Sequence, residues 1–158
     1  MCVFSTELII MTYKQDLLEN LLGLIKKLII IRHHFQLSHW LIQGPHFLSL
    51  HHQFENDYNL IQANLDELVE HFLYHRGVLK HSLQELISNF NEQKFPEQHN
   101  HSNVLKHIIY LLNDLKKNYH EVLDASLNSP LITTQDLLTS QARKLEQIIW
   151  FYEQMNLS

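Results

Sequence analysis

From Phe47 to Phe72, apolar side chains recur at every third or fourth position: Phe47, Leu50, Phe54, Tyr58, Ile61, Leu65, Leu68 and Phe72. Only an α-helix gathers such a series onto one face. A helix of that length cannot bury its stripe alone and needs partner helices. Across 158 residues there are only 3 Gly and 3 Pro, and 45% of residues are hydrophobic, so the other segments also run long. Few turns and long periodic segments predict an all-α protein of one domain.

Four long helical segments are expected. The first runs from about Tyr13 to Trp40, with Thr12 as its cap and Gln15 three residues on, as in a capping box. Gln43-Gly44-Pro45 marks a turn, and the second helix follows from about His46 to Arg76, where Gly77 breaks it. A shorter piece spans about Leu79 to Ser88, before a polar loop, NFNEQKFPEQHNH. The third helix is read from Asn103 to Leu127, with Ser102 as cap. After the linker NSPLIT, Thr133 and Asp136 open a fourth helix that runs to about Met155. This order predicts a four-helix bundle with a short extra helix in the connection between helices two and three. Residues 1–11 are read as a flexible extension and 12–158 as the domain, with Met11 an alternative start.

Charge and composition narrow the function. The net charge of -5 provides no global basic field for phosphates. A single cysteine, Cys2, excludes an intrachain disulfide framework and suits a reducing compartment. The most apolar stretch, Leu17 to Ile31, is interrupted by Lys26-Lys27 and falls short of the roughly 20 residues a membrane span needs. MCVFSTELII has neither a basic start nor a small-residue cleavage site, so a cytoplasmic location is expected. The chain has 13 histidines, and histidine is the commonest side-chain metal ligand.

Five candidate ligands lie between the ends of helices one and two: His39, His51, Glu55, Asp66 and Glu70. With Phe54 at the centre of the stripe, the last four fall roughly 60° to 160° round the helix, all on one flank. His51 and Glu55 are four residues apart, as are Asp66 and Glu70, so each pair can reach one ion. Glu55 and Asp66, however, are separated by about 16 Å along the axis, whereas metal bonds are near 2 Å. Two copies of the helix packed antiparallel would resolve this, with a two-fold axis near Leu60 and Ile61 and two equivalent sites. His39 can join across the turn. Imidazole with carboxylates suits Fe, Mn or Zn, and Trp40 puts an oxidisable indole beside His39. A solvated helix flank, or a subunit interface without metal, explains the same residues.

The residues also carry a resemblance. His39, Trp40, Gly44, Phe47, His51 and Glu55, then Asp66 and Glu70, resemble the ferroxidase segment of Dps proteins, the mini-ferritins. Members of that family carry H-W-x-x-x-G-x-x-F-x-x-x-H-x-x-x-[DE], followed by an Asp and a Glu four apart. Asp136, Glu146 and Trp150 resemble the family's final helix. The resemblance implies a ferritin-like bundle and a hollow shell of twelve subunits with iron sites at two-fold interfaces. It places His39, His51 and Glu55 on one subunit and Asp66 and Glu70 on its neighbour. It implies oxidation of Fe(II), with hydrogen peroxide as preferred oxidant over oxygen, and storage of the ferric product. Zn or Mn are substitute metals. Glu55 departs from the Asp common at its position. Asp136 is the candidate for an acidic iron pore, although the preceding SPLITT is uncharged. Neither MCVFSTELII nor EQMNLS is basic, so strong DNA binding is not expected.

Other readings remain: a nucleoid protein that coats DNA, or a redox-inactive metal-binding shell. A di-iron site inside one chain needs Glu-x-x-His on two helices, and no Glu here has His three residues later. The histidines outside the motif are read as solvated or hydrogen-bonded, with His52 a candidate for an accessory metal position.

Overall fold

A computed structural model describes residues 3–88, 93–127 and 131–156. Its helices are α1 (Val3–Leu41), α2 (Phe47–Tyr74), α3 (Leu83–Leu86), α4 (His101–Ser126) and α5 (Ile132–Asn156). Helix α1 packs on α2 and α4, α4 on α5, and α2 on α5. The short link between α1 and α2 makes them antiparallel neighbours. Among the described residues there is no strand. An isolated bridge joins Gln43 to Asn100, and the Gln43 N–H donates to the His99 carbonyl at 2.9 Å. The α1–α2 turn is thereby tied to the residues that lead into α4. The turn itself depends on Gly44, whose φ of 109° is costly for any side chain bearing a Cβ.

The expected stripe forms the core face of α2. Leu50, Phe54, Ile61, Leu65, Leu68 and Phe72 are buried, and Tyr58 is partly so. They meet Leu21, Leu28 and Phe35 of α1, Leu112 of α4 and Leu145 of α5 in one cluster. Phe47 departs from the pattern: it is 43% exposed, in the first turn of α2.

Helix ends differ from the sequence reading where local hydrogen bonding decides them. Backbone helix already runs through Thr12, so this residue lies inside α1 and does not cap it. The cap of α4 is Asn100, not Ser102, and its side chain accepts from the Asn103 N–H at 3.1 Å. Helix α5 begins before Thr133. The short connecting helix is confined to four residues. Residues 89–92 of the polar loop and 128–130 of the NSPLIT linker lie outside the described residues.

The end of α2 is sharper than a plain glycine break. The Gly77 N–H donates to the Phe72 carbonyl at 2.9 Å, and the Arg76 N–H to the Leu73 carbonyl at 3.0 Å. These are the paired bonds of a Schellman cap. The left-handed residue is Arg76, at φ 71°, not Gly77. Gly77 is required for space: a Cβ there would overlap the Phe72 ring.

Buried and part-buried polar bonds fix how the helices face one another. The Tyr152 hydroxyl donates to Asp57 Oδ2 at 2.5 Å, and Gln53 Nε2 reaches both Asp57 oxygens at 3.1 Å. The Tyr119 hydroxyl donates to Gln141 Oε1 at 2.8 Å, while Gln141 Nε2 donates to the Asn64 carbonyl at 3.0 Å and to Glu67 Oε2 at 3.1 Å. Lys27 Nζ and Asp114 Oδ2 link α1 to α4 at 2.6 Å. His107 Nε2 and His34 Nδ1 are 3.0 Å apart in the α1–α4 interior, and burial, with His34 beside it, pushes the His107 pKa down to about 4.

Two stability outcomes are expected. Arg76→Gly should raise the melting temperature by relieving about 1 kcal/mol of left-handed strain, whereas Gly77→Ala should lower it, and thermal denaturation checks both signs. Burial raises the Asp57 pKa above its ordinary 3.8, against the lowering effect of the Tyr152 and Gln53 bonds. The folded chain therefore holds this proton more tightly than the unfolded chain. Stability from this group falls as pH rises from 3.8 through the folded value. Tyr152→Phe removes a donor from the carboxylate and should cost about 1–3 kcal/mol at neutral pH. The cost should shrink as acid protonates Asp57, as read by denaturant unfolding across pH.

Candidate metal centre

His39 stands in the last turn of α1 and His51 in the first turns of α2. Antiparallel packing through the Gly44 turn brings their rings face to face, with centroids 3.8 Å apart and planes 23° from parallel. His39 Nδ1 donates to the His51 carbonyl at 2.8 Å, and His51 Nδ1 donates to the His39 carbonyl at 2.7 Å. A carbonyl can only accept, so both rings carry their proton on Nδ1. In the neutral ring Nε2 then keeps a lone pair, the arrangement a metal ligand needs. Phe47 stacks on His51 at 5.1 Å, and Tyr58 sets its edge against His39 at 5.7 Å. The exposure of Phe47 thus goes with a place beside the imidazole pair, which the stripe pattern did not distinguish from core.

The carboxylates are more open. Glu55 lies one turn beyond His51 with its side chain 45% exposed, and its Oε2 is 4.0 Å from His52 Nδ1. Asp66 is exposed and accepts from Gln62 Nε2 at 2.7 Å. Glu70 is exposed as well. Among the described residues, no three His, Cys, Asp or Glu side chains are placed to hold one ion. The structure therefore brings His39 to His51, does not draw Glu55 into a three-ligand cluster, and leaves Asp66 and Glu70 farther along α2. Ile61 turns into the chain's own core at 2% exposure, so of the two residues read near a two-fold axis only Leu60 is partly open. Trp40, 58% exposed, projects from the end of α1 beside His39.

At the other end of α2, Asp136 and Glu70 line one groove of about 720 Å³, together with Glu67 and His71. The sequence reading singled out neither Glu67 nor His71 as a site residue. Both fall on the α2 flank that faces α5, a position visible only once the two helices are paired. His71 Nε2 lies 2.7 Å from Thr134 Oγ1, and burial lowers the His71 pKa, with His75 adding to the shift and Glu67 opposing it. Glu146 of α5 sits 3.7 Å from His120 Nε2, and Trp150 packs on Phe151 at 5.0 Å. Large apolar side chains are exposed beside both groups of candidate residues: Trp40, Phe47 and Leu48 near the histidines, and Leu73, Tyr74 and Ile132 near Glu70 and Asp136.

Known proteins match the sequence and the fold of this chain. A family model described as a ferritin-like domain matches residues 18–156. The DNA protection during starvation protein 2 of Bacillus anthracis is 30% identical over 116 residues, covering 71% of this chain and 77% of that protein. The DNA protection during starvation protein of Agrobacterium fabrum (strain C58) is 24% identical over 120 residues, covering 73% and 72%. Among solved structures, the Dps protein of Vibrio cholerae O1 superposes with a TM-score of 0.83 at 22% identity over 91% of each chain. It is described as a member of a superfamily of ferritin-like diiron-carboxylate proteins. Antigen TpF1 of Treponema pallidum superposes with a TM-score of 0.86 at 17% identity, over 93% of this chain and 95% of that one. At these identities the structures show the fold alone, an all-helical ferritin-like bundle, while the domain match and the Bacillus anthracis relative extend to sequence. The chain belongs to the Dps family of ferritin-like proteins.

Proposed function

We propose that this protein is a ferroxidase and iron-storage shell, in which Fe(II) is the substrate and each site is shared by two subunits. The observation that carries this reading is the reciprocal His39–His51 pair, which holds both Nδ1 protons on carbonyls and leaves both Nε2 atoms as ligands. An ion bound about 2.0 Å from an imidazole nitrogen lies about 3.2 Å from the ring centroid. Two imidazoles on one ion then have centroids about 4.5–5.5 Å apart, for angles from square to trigonal. The His39 and His51 centroids are closer than that. Each ring is therefore suited to an ion of its own, side by side at the roughly 3.5–4 Å of a two-metal site.

Asp66 and Glu70, too far along α2 to join them in one chain, complete the site from an antiparallel neighbour, with Glu55 contributing from the histidine side. The exposed apolar residues beside each half-site supply the contact surface such a pairing needs. Two Fe(II) ions give one electron each to hydrogen peroxide, which takes up two protons and leaves as two waters. The ferric product is stored inside a shell of twelve copies. Trp40 is a redox-active neighbour of the site, and Asp136, sharing the Glu70 groove, lies on the iron route. Zn and Mn fit the same donors. No helix of the described residues is long and apolar enough to cross a membrane, and we place the protein in the cytoplasm.

The names of the two curated relatives favour DNA protection as a second reading. Removing Fe(II) and peroxide together protects DNA without touching it. The net charge of -5 opposes direct phosphate contact. No salt-sensitive gel retardation of duplex DNA is expected near physiological ionic strength, and retardation that weakens with salt would revive a coating role.

Anaerobic loading with Fe(II), then addition of peroxide or oxygen with ultraviolet absorbance followed in time, tests the main reading. Ferric formation should be faster with peroxide. It should slow by about 100-fold or more in a His39→Ala/Asp66→Ala variant that still assembles by sedimentation, given the 10–100-fold that losing even an outer partner of a ligand costs. An unchanged rate in that variant would refute the site.

A further inference from the structure

At the end of the bundle where α2 and α4 begin and α5 finishes, two histidines and a methionine line one pocket. His46 is the N-cap residue of α2, His101 opens α4, and Met155 lies in the last turn of α5. The pocket, about 110 Å³, is completed by Ser49, Leu50 and Leu105. We propose that His46, His101 and Met155 form a Cu(I)-binding site, separate from the iron centre.

Three observations carry this. The His46 and His101 ring centroids are 5.4 Å apart with planes at 73°. That spacing falls within the about 4.5–5.5 Å reached by two imidazoles on a shared ion bound near 2.0 Å, toward the trigonal end. Neither ring makes a hydrogen bond among the described residues, and the contact of the two rings is with each other. His46 caps α2 by position only, without a side-chain cap bond, so nothing in the helix start requires its imidazole. The donor set then selects the metal. Among the described residues no carboxylate lines the pocket, and its apolar wall, Leu50 and Leu105, is 4% and 1% exposed. Hard cations that need anionic oxygen find none there. Thioether sulfur with imidazole favours Cu(I). The three ligands also come from three different helices, so a bound ion would cross-link the open end of the bundle.

The proposal does not rest on the ferroxidase reading, and its test keeps the two apart. Assembled protein is titrated anaerobically with Cu(I) against bicinchoninate as competitor. The wild type, a His46→Gln/His101→Gln variant, a Met155→Leu variant and the His39→Ala/Asp66→Ala variant are compared. The histidine variant should lose a Cu(I) ion per chain, or bind it at least ~10-fold more weakly, with its melting temperature and Fe(II) oxidation unchanged. X-ray absorption of the copper-loaded wild type should show a sulfur scatterer at about 2.3 Å that disappears in Met155→Leu. The His39→Ala/Asp66→Ala variant should keep this copper. Equal copper retention by the histidine variant, absence of the sulfur scatterer, or loss of the copper in the His39→Ala/Asp66→Ala variant would each overturn the proposal.

Discussion

The stiffness of α2 sets what a metal centre on this chain would require. A helix advances a fixed distance per residue, so ligands placed along it cannot be drawn together by side-chain adjustment. The buried stripe from Leu50 to Phe72 presses one face of α2 into the bundle along nearly its whole length. The adjoining flank stays more open, with His51 and Glu55 near one end and Asp66 and Glu70 toward the other. Any chemistry that needs both must bring in a second copy of the same flank. Core packing and the spacing of the candidate ligands are therefore consequences of one rod.

What keeps the flank correctly turned is polar rather than apolar. Leucine and isoleucine contacts tolerate some rotation of one helix against another, while hydrogen bonds at fixed atoms do not. Asp57 with Tyr152 sets α2 against α5 near the histidine end. Gln141, bonded to Tyr119, Asn64 and Glu67, sets α2, α4 and α5 together near the carboxylate end. These bonds are costly to bury. Burial shifts the pKa values of Asp57, Tyr152 and Tyr119 all upward, toward their uncharged forms. Their positions, one toward each end of α2, suggest that orientation is what the fold gains from them.

Much of this was legible in the chain. The three-and-four spacing of the α2 stripe gave its helix and its buried face, and the Gln43-Gly44-Pro45 turn was placed correctly. Helix ends were read less well because caps depend on which of several polar residues reaches a free N–H. Asn100 does so where Ser102 was expected, and a left-handed Arg76 ends α2 one residue before the glycine that seemed to break it. The His39, His51, Asp66 and Glu70 spacing argues against one chain holding an ion with all of them. It could not show that His39 and His51 would hold each other's carbonyls, since that depends on the offset between two helices. Phe47 was assigned to the core because periodicity cannot tell a side chain over the core from one beside a neighbouring ring at the helix start. Nothing in the sequence pointed Asp57 to Tyr152 or Gln141 to Asn64, because these partners lie 95 and 77 residues away.

The His39–His51 exchange also bears on how such a site could change over generations. Each ring is anchored on the main chain of the other's residue, not on a third group. Replacing either histidine therefore does more than delete one ligand: it leaves a carbonyl without its donor and the surviving ring without the Phe47–imidazole stack as it stands, or without its Tyr58-flanked partner. The survivor still has its own bond to the opposing backbone, but no longer the neighbour that holds its plane. The pair is coupled as a unit, carried on two helices but tied across a single turn.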